Sequence, residues 1–221
     1  MGLETILRRS FVRRSLDALS VSWGQAGDCV AALSIPGQRP AAGVVLRDLS
    51  PLPRTGFKGA ETAAWLDGRN IAYPPEHNQA AVLSDGTLVA RLSPGEFLLL
   101  GPSDGRPSTV AALDAAWSLD AAGLCFQVPR RDSHAWFTVG GAKAPEMFAK
   151  LCGIDVRLHK FADLSIAQTS LARLSAIIIR DDRGAELPAF HVLADSASAA
   201  YLWDVLADAM AEFAGSVCGL R

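Results

Sequence analysis

Near the C-terminus, apolar residues fall at Leu202, Val205, Leu206, Ala209, Met210 and Phe213, in steps of three, one, three, one and three, while Asp204, Asp208 and Glu212 hold the opposite side. That period predicts a helix over 197–213 with one core-facing stripe. A second helix is predicted over 108–117, opened by Ser108 as its N-cap. Leu3, Leu7 and Phe11, at i, i+4 spacing among arginines, predict a short amphipathic helix within residues 1–19. So short a stripe is unstable alone and is expected to dock on the body or on a partner. Strand patterns are brief: one around Val30–Leu33, a hairpin in TLVARLSPGEFLLLGP (87–102) turned at Pro94-Gly95, and a longer hairpin over 169–195 turned at Asp181–Gly184.

The Pro/Gly-rich IPGQRPAAG (35–43) marks a joint, which divides the chain into an arm, 1–42, and a body, 43–221. Within the body two halves, about 43–122 and 123–221, echo each other. FKGAETAAWLDG (57–68) and VGGAKAPEMFAKLCG (139–153) share a Gly-Ala start and a closing glycine, both halves carry ARLS (90–93 and 172–175), and both end in a helix. The expected class is α+β: two related split-βαβ units with antiparallel sheets and helices packed on one face of each. Hairpins join most of the strands, so a parallel doubly wound sheet fits poorly.

Composition narrows the function classes. With 221 residues and 50% apolar content the chain can bury a sizeable core. Lys+Arg 21 against Asp+Glu 23 leaves a net charge of −2, which supplies no field for nucleic acid or anionic membrane. Apolar runs stop far short of the roughly 20 residues needed to span a bilayer. No apolar stretch follows Arg8, Arg9, Arg13 and Arg14 as an export signal would require. Cys29, Cys125, Cys152 and Cys218 are too dispersed for a disulfide framework, so reduced thiols and a cytoplasmic location are expected.

Candidate chemistry is sparse. GPSDG (101–105) matches a nucleophile elbow around Ser103, but Gly105-Arg106-Pro107 separates that serine from the predicted helix, whose N–H groups would have to form the oxyanion hole. His77, His134, His159 and His191 have no ligand-spaced partner for zinc, and His191 alternates with Phe190 and Val192 as a strand residue would. Gly140-Gly141 lacks the third glycine of a dinucleotide fingerprint. RRDSH (130–134) reads as a solvated loop or the lining of an anion pocket. Around DLSPLPRTGFKGAETAAWL (48–66), Arg54 and Lys58 near Asp48 are candidates for holding a carboxylate, a flavin phosphate or a partner, a surface role at the start of a βα unit being the more ordinary reading. No catalytic residue and no metal site are assigned.

DLSPLPRTGFKGAETAAWL, followed by LSDGTLVARLSPGEFLLLG (83–101), resembles the folate-binding aminomethyltransferase family of the glycine cleavage T-protein. RDSHAWFTVGGAKAPEMFAKLCGIDV, FADLSIAQTSLARLSAIIIR and FHVLADSASAAYLWDVLADA, in that order, resemble a narrower group: the gamma subunit of heterotetrameric sarcosine oxidase and of related N-methyl amino acid dehydrogenases. The likeness covers roughly 43–213. It implies the aminomethyltransferase folate-binding-like fold, large flavin-bearing partner subunits, and FAD, FMN, NAD and tetrahydrofolate in the complex, none bound by this chain alone. Three departures bear on activity. Only Asp85 remains of the family's acidic pair, Pro51 replaces its usual histidine, and Lys58-Gly59-Ala60 stands where repair-type relatives carry Lys-Gly-Cys. The resemblance therefore implies a non-catalytic, architectural gamma subunit. The alternative is a stand-alone folate-dependent aminomethyltransferase-like or folate-binding protein with Asp85 and Arg91 around the folate.

Overall fold

The computed structural model describes residues 8–37, 43–183 and 187–220. Two units result. One draws on the described residues up to Pro51 and from His134 onward; the other is Leu52–Ser133. The chain thus enters the first unit, leaves it, and returns. The cuts lie at 51/52 and 133/134, not at the sequence boundaries 42/43 and 122/123.

In the first unit, β1 (Arg8–Arg9), β2 (Ser22–Ala26) and β3 (Cys29–Ser34) form a sheet in the order β1-β3-β2, and β3 covers the predicted Val30–Leu33 strand. The N-terminal helix prediction needs correction. Leu3 and Leu7 lie outside the described residues, α1 spans only Arg13–Asp17, and Phe11 is exposed. The i, i+4 pair that is buried is Val12 and Leu16, both in this unit's core. Residues before the predicted joint are tied to this body. Leu220 donates its N–H to Ala32 at 2.9 Å. Gly43 (φ +120°) packs so closely that a Cβ there would sit 2.0 Å from the Phe213 carbonyl oxygen. After the joint comes β4 (Val45–Asp48).

The second unit begins with β5 (Arg54–Lys58) and α2 (Thr62–Asp67), continues through the meander β6 (Gln79–Val82), β7 (Leu88–Ser93) and β8 (Glu96–Leu100), and closes with α3 (Thr109–Ala116), β9 (Phe126–Gln127) and α4 (Arg130–Ser133). Its sheet is antiparallel in the order β6-β7-β8-β5-β9. The hairpin turns at Pro94-Gly95 and Ser108 precedes α3, both as predicted. Alternate residues Phe97 and Leu99 of β8, with Phe57 of β5, pack under Trp65, Leu66, Val110 and Leu113 from the helices. Each large side chain so buried contributes roughly 1.5–3 kcal/mol.

The first unit resumes with β10 (His134–Gly140), α5 (Ala144–Phe148), β11 (Ile166–Leu171), β12 (Leu174–Arg180), β13 (Ala189–Asp195), α6 (Ala199–Ala211) and β14 (Ser216–Val217). The strand order is β11-β12-β13-β10-β4-β14. On α6 the predicted stripe holds: Leu202, Leu206, Ala209 and Met210 are buried, Val205 and Phe213 pack at its margin, and Trp203 adds an edge-on contact to Phe137 at 5.2 Å.

The echo of two halves survives as topology. Each is a strand, a helix, a three-stranded meander and a helix, and β6-β7-β8-β5 has the same neighbour order as β11-β12-β13-β10. The shared ARLS does not mark equivalent positions. At 90–93 it lies within β7, whereas Ala172 (φ +50°) and Arg173 (φ +67°) make the two-residue turn between β11 and β12. The predicted hairpin over 169–195 is therefore three strands. Its second turn starts at Asp181, and Gly184 lies outside the described residues. No described helix is long and apolar enough to cross a membrane.

Candidate functional site

Three of the four predicted site residues are committed to holding the second unit together. Arg54, at the start of β5, is 2% exposed, which corrects the surface reading. Its Nε donates to the Arg130 carbonyl (3.1 Å), Nη1 to that of Leu52 (3.2 Å) and Nη2 to that of Arg131 (2.7 Å). A planar guanidinium with five donors suits a cluster of carbonyls that no lysine could span. Lys58, at the other end of β5, is exposed and pairs with Glu96 at 2.9 Å. Glu96 also takes Arg130, which is buried in α4 rather than lying in a solvated RRDSH loop. Burial pushes the Glu96 carboxyl up, but the Lys58 hydrogen bond and the Arg130 charge outweigh it and hold the group below its ordinary range.

Asp85 lies in the turn between β6 and β7. It accepts the Thr87 N–H (2.8 Å) on one oxygen, and the Thr109 N–H (2.6 Å) and hydroxyl (2.7 Å) on the other. It caps α3 from 24 residues away, in place of Ser108, whose hydroxyl makes no cap bond. Burial pushes the carboxyl up, yet the hydrogen bonds from Thr109 and Thr87 prevail and hold it at about 2. Since that lies below the roughly 3.9 of an unfolded aspartate, the stabilisation is complete above about pH 4 and is lost as the pH falls through 2. Asp85→Asn is expected to cost about 1 kcal/mol at pH 7, after allowing for solvent screening, and visibly less at pH 3. Urea unfolding at the two pH values measures this. Equal losses at both would mean that the carboxylate charge does not make the cap.

Arg91, at the far end of β7, donates through Nη1 to the Pro74 (3.2 Å) and Pro75 carbonyls and through Nη2 to the Pro94 carbonyl (3.2 Å). The guanidinium lies over Tyr73 and Phe97, 5.6 and 5.5 Å from the ring centroids. It staples a loop and a turn to the sheet. Asp85 and Arg91 thus occupy opposite ends of one strand, with the Asp85 oxygens and the Arg91 Nη groups already engaged. These residues do not fit a folate site.

In the first unit the structure assembles a polar chain that sequence reasoning saw only as a strand histidine. Trp136 Nε1–H donates to His191 Nδ1 at 3.0 Å, which leaves the proton on Nε2 to be donated to Asp181, also at 3.0 Å. Arg183 completes the chain through two hydrogen bonds to Asp181, at 2.7 and 2.6 Å. Burial pushes the Asp181 carboxyl up, but His191 and Arg183 outweigh it and hold the group well below the usual carboxylate range. With both ring nitrogens engaged, His191 is a satisfied buried histidine rather than a general base.

Other candidates stay empty of chemistry. Ser103 is exposed in a turn closed by Gly105 N–H to the Pro102 carbonyl, ahead of a helix that starts only at Thr109. Among the described residues no group of His, Cys, Asp and Glu could hold a metal ion, and all four cysteines are buried free thiols. A cleft of about 830 Å³ opens beside α5, lined by Pro145, Cys152, Ile154, Val156, Arg157 and His159 among others. It contains none of the predicted site residues, and its Arg157 is already held by Asp155.

No protein-family model matches the chain, and neither does any curated protein sequence. Solved structures do. A chain of heterotetrameric sarcosine oxidase from Corynebacterium sp. U-96 matches with a TM-score of 0.69 at 21% identity, over 95% of this chain and 98% of that one. This is the aminomethyltransferase fold. The glycine cleavage system aminomethyltransferase T from Bartonella henselae matches with a TM-score of 0.74 at 15% identity, over 97% of this chain. The present chain spans only 60% of the length of that aminomethyltransferase. Here, then, the fold holds Asp85 and Arg91 as internal braces.

Proposed function

We propose that this chain is a non-catalytic, architectural subunit of the gamma type in a hetero-oligomeric flavoprotein. The complex would oxidatively demethylate sarcosine or a related N-methyl amino acid and pass the one-carbon unit to tetrahydrofolate. The observation that carries the reading is the end-to-end match to a chain of a heterotetrameric sarcosine oxidase, two chains of nearly equal length sharing one fold. The engaged polar groups of Asp85 and Arg91 support it, because a folate-using protein of this fold would need such groups turned toward ligand. In this reading FAD, FMN, NAD and tetrahydrofolate belong to larger partner subunits, and this chain contributes structure rather than chemistry.

The test uses the isolated chain. With sarcosine and added flavin it is expected to show no amine oxidation, and calorimetry with tetrahydrofolate no binding tighter than about 1 mM. Folate affinity in the micromolar range that Asp85→Ala abolishes would contradict the proposal and support a stand-alone folate-binding protein.

A further inference from the structure

The segment that runs from α3 into β9 carries three large apolar side chains in solvent: Leu119 is 64% exposed, Leu124 53% and Phe126 46%. Scattered exposed leucines are ordinary, but the backbone here is fixed so that these side chains stay outside. Ala122 and Cys125 are buried in the unit's core, and Trp117 Nε1–H donates to the Cys125 carbonyl at 2.9 Å. Leu124 is clamped on both sides by Glu61, whose carboxylate accepts its N–H (2.9 Å) and whose N–H donates to its carbonyl (3.1 Å). Two glycines make the clamp possible. A Cβ at Gly59 (φ +148°) would sit 1.9 Å from the Leu124 oxygen, and one at Gly123 (φ +57°) 2.1 Å from the Glu61 carboxylate. With Cys125 turned inward, Leu124 and Phe126 follow the period of two outward, and Phe126 lies opposite Lys58 in the β5–β9 pair.

The segment itself is acidic. Asp114 and Asp120 are exposed, and no Lys or Arg occurs between Arg106 and Arg130. Two cations border it and are engaged: Lys58, opposite Phe126, with Glu96, and Arg69 with the Ala116 carbonyl and the Trp65 ring. A second copy docking about a two-fold axis would bring this acidic rim against itself.

We infer that Leu119, Leu124 and Phe126 form the centre of a docking surface for a larger subunit of the hetero-oligomer, one that presents an apolar face rimmed by Lys or Arg. The inference rests on the subunit reading above. Apolar anchors held rigid before binding lose little entropy on docking, which is what a permanent interface needs.

The experiment co-expresses the tagged full chain with its larger subunits and measures flavin absorbance per mole of tagged chain after capture. Wild type and Leu158→Asp, an equally exposed leucine in the other unit, are expected to retain flavin-bearing companions at fixed stoichiometry. Leu124→Asp/Phe126→Asp is expected to retain at most one tenth as much, with an unchanged circular dichroism spectrum. Asp120→Lys, at an exposed position, is expected to weaken capture several-fold at low salt. Full retention by the double variant overturns the surface while leaving the subunit reading intact. A wild type that captures no flavin-bearing chain overturns both, and a wild-type homodimer dissolved by the double variant reassigns the surface to a second copy.

Discussion

Arg54→Ala is expected to lower stability by about 3–5 kcal/mol, a loss of Tm on the order of 6–20 °C for a chain of this size. The side chain is almost wholly buried, and its removal strands the carbonyls of Leu52, Arg130 and Arg131 that it serves. Each lost bond involves a charged donor, and a carbonyl left dry pays its full desolvation penalty. Arg54→Lys should recover little, because one ammonium cannot reach both the Leu52 carbonyl and the consecutive carbonyls of α4. Thermal unfolding followed by circular dichroism measures both variants. A loss of less than about 1 kcal/mol for Arg54→Ala would show that the guanidinium does not brace this unit.

His191→Leu is expected to cost about 2–4 kcal/mol. The substitution keeps the apolar volume but leaves the buried Trp136 indole N–H without its acceptor, and removes one of the donors on Asp181. Its pH dependence separates this from a packing defect. In the wild type the Asp181 carboxyl is held below its unfolded value, so its contribution is present above about pH 4 and fades as the pH falls. Losing the His191 donor raises the Asp181 carboxyl of the folded state, and because both proteins share the unfolded value the gap between them should narrow only as the pH falls below about 4 toward that raised value. A gap that stays constant over this range would indicate lost packing alone.

The fold was legible where local pattern and tertiary environment agree. The stripe on α6, the hairpin at Pro94-Gly95 and the N-terminus of α3 each follow from spacing or turn chemistry within a few residues. The architecture of two similar halves was legible as well, since repeated strand and helix patterns outlast the loss of identical residues. Where the reading failed, long-range partners decided. Arg54 looks like a surface charge in a loop-rich stretch, yet it ends on a carbonyl 77 residues away. Asp85 looks like a ligand-facing acid and is a helix cap whose partner lies 24 residues downstream. His191 alternates like any strand residue, and only the fold brings Trp136, 55 residues earlier, onto its Nδ1. At the N-terminus the spacing pointed to Phe11, which is exposed, while the buried pair is Val12 and Leu16. None of these partnerships leaves a local signature.

Whether this chain is a structural member of a flavoprotein assembly is decided by purifying the tagged chain from its native lysate and recording the visible spectrum of the eluate alongside its subunit composition. Larger chains at fixed stoichiometry are expected, with flavin absorbance and sarcosine or N-methyl amino acid oxidation in the same fraction. A colourless, monomeric 23.4 kDa chain would contradict the subunit reading.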